Sequence, residues 1–409
     1  MAQHNFVPVL LGSDVNVYGM ARSFHEAYGI CSVAIGKGRL GATSNSRIVT
    51  VEVVEPRIEE DEVFCKTLID FSARYPKDVD LLLVPCGDNY IKLLSRNQDA
   101  LREYYKFVCI DEPLLMQLST KETFYALCEK HGFLFPKTTT VTVNNYQTVE
   151  LPFAFPVVIK PSNSVAYWNC HFPHKKKVFI AESREGFDAI LAAIYASSYQ
   201  DHLIIQEYIP GDDSHMRVMN CYCGKDGKVQ LIALSQALLE EHSPEGIGSY
   251  AALIPIEDRQ LARQMKTFLE DIGYKGFANF DFKFDSRDGQ YKLFELNPRQ
   301  GRSSFVVTAQ GHNLARYLVN DVLLDQPAEF TMADGETLWT IIPKALIFEY
   351  VTDPELKAKA KDLIRRGKLC KSLYYKKDRN FKRWLYFQKN QASYFKKYTR
   401  YFGNKGLRD

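Results

Sequence analysis

The chain has 409 residues, 46% hydrophobic and 25% charged, the balance of an ordinary soluble protein with two or three domains. No apolar run approaches the roughly 18–20 residues needed to span a bilayer, and the first six residues lack a signal-peptide pattern. Nine cysteines without regular spacing argue against a disulfide framework and point to a reducing, cytoplasmic setting.

The first ~115 residues alternate between two periodicities. Residues 7–11 form an apolar strand, ended by Gly12-Ser13-Asp14. Val17, Met20, Ala21, Phe24 and Tyr28 then recur at helical spacing, and residues 31–35 resume a strand. Residues 81–85 form another buried strand leading into Cys86-Gly87-Asp88-Asn89. This βαβ order predicts a parallel sheet. The turn at Gly12 lacks the glycine spacing that brings backbone to a dinucleotide pyrophosphate, so a dehydrogenase is disfavoured. The turn is either a connector or a substrate contact, because open α/β sheets bind ligands at strand carboxyl ends.

Ser119-Thr120-Lys121-Glu122 caps a predicted helix that runs to His131 and stops at Gly132. Strands are then expected at 138–143, 156–160, 178–181, 203–208, 215–223, 229–235, 277–284 and 291–296, interrupted by helices at 184–197 and 258–272. Antiparallel strands with inserted helices after a βαβ unit imply an α+β region of two lobes. Cys221 and Cys223 share a strand face, and with no second pair to complete a zinc site they are read as packing.

Residues 279–285 alternate strictly, with three Phe on one face and Asp281, Lys283 and Asp285 on the other. Residues 286–290 make a turn, and residues 291–297 return. If Asp285 pairs with Tyr291, a constant register sets Asp281 opposite Glu295, with Asn297 on the same face. Carboxylates about 5 Å apart at their Cβ atoms repel unless a cation lies between them. Hard oxygen ligands suit Mg²⁺ shared with phosphate and suit zinc or copper poorly. Alone, such a pair more often belongs to a solvated sheet face. Asn297-Pro298-Arg299-Gln300-Gly301-Arg302 adds two guanidinium forks of the kind that grip phosphate or carboxylate.

Glu295-Leu296-Asn297-Pro298-Arg299 after a strand containing Asp281 resembles the metal-binding signature of the ATP-grasp superfamily. The likeness covers about residues 1–330. Lys121 resembles that family's first nucleotide-contacting lysine. Lys160, in Val157-Val158-Ile159-Lys160-Pro161, resembles the second, which reaches the phosphates. Gln206-Glu207-Tyr208-Ile209-Pro210-Gly211 resembles the linker between lobes. The resemblance implies that Glu207 and the backbone near Tyr208 and Ile209 meet adenine, and that Asp213 or a close neighbour meets ribose. Where many members carry a glycine-rich lid, this chain has residues 162–169. Ser162 and one of Lys175, Lys176 or Lys177 are the candidates for covering phosphate; the lysines are equally compatible with a solvated turn.

The implied architecture is α/β plus α+β: a Rossmann-like domain at 1–118, ATP-grasp lobes at 119–205 and 206–335, and an extension at 336–409. Ile159-Lys160-Pro161-Ser162-Asn163-Ser164 and the segment from Asn297 to Ser304 are most similar to the D-aspartate ligase group. That likeness implies ATP and Mg²⁺ as cofactors, D-aspartate as donor, and the lysine amine of a peptidoglycan precursor as acceptor. Asp281, Glu295 and Asn297 would hold the metal; Lys160 and Arg299 would stabilise the transferred phosphoryl group. Arg302 would clamp a substrate carboxylate or form a structural salt bridge. The rivals are an ATP-grasp ligase with other substrates and an ATP-binding regulator without turnover.

The formal net charge of +3 hides an asymmetry. Residues 357–408 carry 18 Lys and Arg against two acids, whereas the rest of the chain carries 34 against 47. From about residue 367 cations interleave with aromatics. Such a tail either meets an anionic membrane or packs back on the body, and no recognition motif points to nucleic acid.

Overall fold

The computed structural model describes residues 5–402, apart from Lys177 and Glu245. The N-terminal unit is a four-stranded parallel sheet, β1 (Phe6–Leu11), β2 (Ser32–Gly36), β3 (Val49–Val54) and β4 (Asp80–Pro85), in the order β3-β2-β1-β4. β1 is central and apolar because both of its faces are covered. It ends at Gly12, whose φ of 118° is open to glycine and strained for other residues. Asp14 then caps the Val15–Tyr28 helix by accepting from the amides of Asn16 and Val17.

A second, antiparallel sheet contains β5 (Thr138–Val141), β6 (Val157–Pro161), β7 (Phe179–Ala181) and β8 (Leu203–Glu207), ordered β5-β8-β6-β7. The Arg184–Tyr195 helix covers it with Phe187, Leu191 and Ile194, and this lobe has a hydrophobic core of its own.

The third sheet has eight strands. β9 (Met216–Cys223), β10 (Val229–Glu240), β11 (Tyr250–Ile256), β12 (Gly276–Asp285) and β13 (Gln290–Asn297) form its main part, with β14 (Thr331–Met332), β15 (Leu338–Thr340) and β16 (Leu369–Lys371) added later in the chain. The order is β13-β12-β9-β10-β11-β15-β16, and β14 pairs with β10. One face packs against the Arg259–Asp271 helix and the Lys121–Lys130 helix. The other meets the N-terminal unit through residues such as Val17 and Phe24. The Lys121–Lys130 helix, expected within the first lobe, thus shares its core with the large sheet instead: Phe124, Tyr125 and Cys128 pack with Phe268 and Phe280.

The described part of the segment expected to be a basic tail, up to residue 402, forms regular structure. β16 joins the large sheet, and residues Phe381–Tyr401 form a 21-residue helix lying on the body. Its docked face carries Arg383, Gln391, Tyr394 and Tyr398. Arg383 pairs with Asp378 at 3.0 Å and donates to the carbonyls of Ala42 (3.0 Å) and Ser44 (3.1 Å). Asp378 in turn accepts from Tyr18 Oη, Ser46 Oγ and the Arg47 amide. The Tyr386 ring lies against Gly41, where any side chain would clash.

Candidate active site

The hairpin β12–β13 places Asp281 opposite Glu295 and Asn279 opposite Asn297. The route to that pairing differs from the expected one. Asp285 pairs with Gln290, not Tyr291, so an uninterrupted ladder would have set Asp281 against Phe294. A bulge at Phe294 restores the carboxylate pair. The Phe294 carbonyl accepts from Lys121 Nζ and from Tyr125 Oη, each at 3.0 Å. The irregularity therefore both registers the acids and anchors the first lysine beside them.

Around the pair the charges are arranged in layers. Lys121 Nζ lies 3.7 Å from Glu295 Oε2. Asp281 accepts from Tyr250 Oη at 2.7 Å on one oxygen and from Asn297 Nδ2 at 3.2 Å on the other. Arg299 donates to Asn297 Oδ1 at 3.3 Å and pairs with Asp88, which follows β4. Burial and the Glu295 charge push the Asp281 carboxyl well above the usual range. Burial also raises Glu295, but Lys121, Lys160, the hydrogen bond with Asp281 and Arg299 together hold it below its ordinary value. Glu295 nonetheless opens to the cleft, with 52% of its side chain exposed.

Lys160, at the end of β6, donates to Gln206 Oε1 at 3.0 Å. Gln206 Nε2 donates to Tyr125 Oη (2.9 Å) and Thr138 Oγ1 (3.0 Å). A continuous chain of bonds thus links Lys160, Gln206, Tyr125, the Phe294 carbonyl and Lys121. It crosses from the small antiparallel sheet to the metal hairpin.

A cavity of about 760 Å³ separates the two sheets, lined by Lys121, Lys160, Glu207, Tyr208, Ile209, Asp213, Asp281 and Glu295 among others. Candidate residues from four distant segments therefore meet around one space. Glu207 accepts from the Lys137 amide at 3.1 Å, and Ile209 is buried in the wall. Asp213 reaches the wall but is deeply buried, with its carboxylate bonded to the Glu240 amide and to His242. Its neighbour Asp212, which accepts from Ser214 and Thr352, lines the cavity with more exposure. Asn297 borders an adjoining cavity of about 200 Å³ with Asp88, Lys92, Lys121 and Glu295.

Other expectations are corrected. In the 162–169 segment Asn163 caps a short helix, Ser164–Asn169. Ser162 lies outside the cavity wall, its hydroxyl donating to the His202 carbonyl at 2.7 Å. Lys175 Nζ is bonded to the Cys170 carbonyl, and Lys177 lies outside the described residues. Arg302 does not present a free fork, because its guanidinium is bonded to Glu241, which also accepts from Tyr394 of the C-terminal helix. Tyr125, Gln206, Tyr250 and Asp88 are site residues that sequence reasoning missed. Tyr125 stands one helical turn from Lys121 and Gln206 precedes Glu207, so spacing could have flagged both. Nothing local marks Tyr250, which reaches Asp281 from β11 across β10 and β9.

The donor set fits Mg²⁺. Two opposed carboxylates and an amide offer hard oxygens, and a pair that raises one member's pKa is short of positive charge. Among the described residues no three His, Cys, Asp or Glu side chains converge into a metal cage.

No family model matches the chain. Its fold is similar to an L-amino acid ligase from Bacillus licheniformis, with a TM-score of 0.56 and 14% identity over 80% of this chain and 76% of that one. It is equally similar to the biotin carboxylase domain of the Hydrogenobacter thermophilus 2-oxoglutarate carboxylase, crystallised with MgADP (TM-score 0.57, 12% identity, 82% and 73% covered). A parallel sheet, a separate antiparallel lobe and a large sheet with acids on its edge hairpin define the ATP-grasp fold. Over 408 residues the chain is 43% identical to the D-aspartate ligase of Enterococcus faecium (strain Aus0004), with 97% of each covered. It belongs to the D-aspartate ligase family, and so to the ATP-dependent ligases that form C–N bonds.

Proposed function

We propose that the chain activates the side-chain carboxylate of D-aspartate with ATP and joins it to the lysine amine of a peptidoglycan precursor. The observation that carries the ATP chemistry is Asp281 facing Glu295 beside Lys121, on a cavity shared with Lys160. The donor rests on the 43% identity with a D-aspartate ligase.

A carboxylate and an amine at neutral pH form a salt, so the carboxylate must first be activated. A donor oxygen attacks the γ-phosphorus, the bond to the bridging oxygen breaks, and ADP leaves with that electron pair. The neutral amine then attacks the acyl carbon of the acyl phosphate, loses a proton, and expels inorganic phosphate. Lys160 and Arg299 offset charge on the transferred phosphoryl oxygens. Gln206 holds Lys160, and the Phe294 carbonyl that Tyr125 also bonds holds Lys121, which limits reorganisation during transfer. Glu207, Tyr208 and Ile209 receive the adenine, and Asp213 or the more open Asp212 receives the ribose. Mg²⁺ held by Asp281, Glu295 and Asn297 would screen the phosphate oxygens against the donor's own negative charge.

The test is phosphate release against a panel of D- and L-amino acids, with and without a peptidoglycan stem peptide. Release that requires D-aspartate, with the amide product seen by mass spectrometry, supports the reading. Release with a different donor reassigns the substrate, and silence with every donor removes the ligase.

A further inference from the structure

The C-terminal helix has a second face that the active site does not use. With Arg383, Gln391, Tyr394 and Tyr398 turned to the body, Phe381, Trp384, Leu385 and Phe395 are left in solvent. Phe381 is 71% and Trp384 51% exposed, and their rings stack at 5.9 Å. At 3.6 residues per turn these four share one strip, continued by Gln388 and Ala392, which are also exposed. Lys382, Lys389 and Lys396 recur every seven residues, all exposed, and so form a ridge along one edge of that strip. The helix contains no Asp or Glu. At its start, Tyr374, Arg379, Phe381, Trp384 and Phe387 also border a surface groove of about 420 Å³.

From this arrangement we infer that the outer face of the C-terminal helix docks on an anionic lipid surface, lying in the plane of the interface. An aromatic strip edged by lysines is the pattern of an interfacial helix: the rings enter the headgroup boundary while the ammonium groups meet lipid phosphates. No described helix is long and apolar enough to cross a membrane, so the contact is peripheral. Charge complementarity selects the lipid over a second copy of the chain, since the helix carries no Asp or Glu with which a second copy's lysines could pair. The acidic balance of the remaining chain, 34 basic against 47 acidic residues, disfavours docking through any other face. This inference is independent of the ligase reading, because no residue of the strip lines the nucleotide cavity.

The experiment is co-sedimentation of the full chain with vesicles of phosphatidylglycerol and phosphatidylcholine, or of phosphatidylcholine alone. Three proteins are compared: wild type, Lys382→Glu/Lys389→Glu/Lys396→Glu, and Phe381→Ser/Trp384→Ser. Circular dichroism confirms that each stays folded, as expected for exposed positions. Wild type should pellet with the anionic vesicles only, and release as salt shortens the screening length. The triple charge reversal should weaken partitioning by on the order of 100-fold, and the aromatic double variant should weaken it as well. Wild type remaining in the supernatant, or variants that bind as wild type does, would overturn the inference. So would a wild-type dimer in sedimentation equilibrium that the aromatic variant dissociates, since the strip would then serve a second copy.

Discussion

Asp281 and Glu295 face each other only because Phe294 is left out of the ladder between β12 and β13. The bulge does two jobs at once. It turns the second carboxylate toward the first, and it presents a carbonyl to Lys121 and Tyr125. The negative charge that the bulge brings together is thereby faced by a lysine held from a different element.

Opposed carboxylates in a site that lacks its cation cost stability. Asp281→Asn removes one charge while keeping an acceptor for Tyr250. Its melting temperature without magnesium should equal or exceed wild type, while ATP-dependent turnover falls roughly 100-fold or more. Added Mg²⁺ with ADP should stabilise wild type and leave the variant nearly unmoved. Differential scanning fluorimetry with a phosphate-release assay reads both effects.

The chain from Lys160 to Lys121 should behave as a unit. Tyr125→Phe and Gln206→Leu each break its middle, and either should lower kcat more than it raises KM for ATP. A double-mutant cycle should return a coupling of roughly 0.5–3 kcal/mol, because both variants disrupt the same bonds. Strict additivity would show that the two residues act separately.

Docking of the C-terminal helix rests on the buried Arg383–Asp378 pair. Arg383→Ala leaves the Asp378 carboxylate uncompensated and should destabilise the fold by roughly 3–5 kcal/mol in urea unfolding. Lys382→Ala, at an exposed neighbouring position, should fall within about 0.5 kcal/mol of wild type.

Much of this architecture was legible in periodicity. The apolar runs at 7–11 and 81–85 predicted a parallel sheet, and β1 and β4 pair in parallel. The strict alternation at 279–285 announced a hairpin strand, and Phe280 and Phe282 do enter the core. The register was not legible, because a bulge inserts a residue without altering the composition of either strand. That is why Asp285 meets Gln290 rather than Tyr291. The C-terminal helix was hidden for another reason: its docked face uses Arg383, Gln391 and two tyrosines, polar groups whose burial depends on partners such as Glu241 and Asp378. Sequence left Arg302 open between a substrate clamp and a structural salt bridge for the same reason, since its Glu241 partner lies 61 residues away.

The central claim is that Glu295 belongs to the magnesium–nucleotide centre, and Glu295→Gln tests it most directly. The measurement is D-aspartate-dependent ADP release at saturating ATP and Mg²⁺, with circular dichroism and melting to establish that the variant is folded. The account predicts a loss of roughly two orders of magnitude or more in a folded protein. Turnover equal to wild type would contradict it.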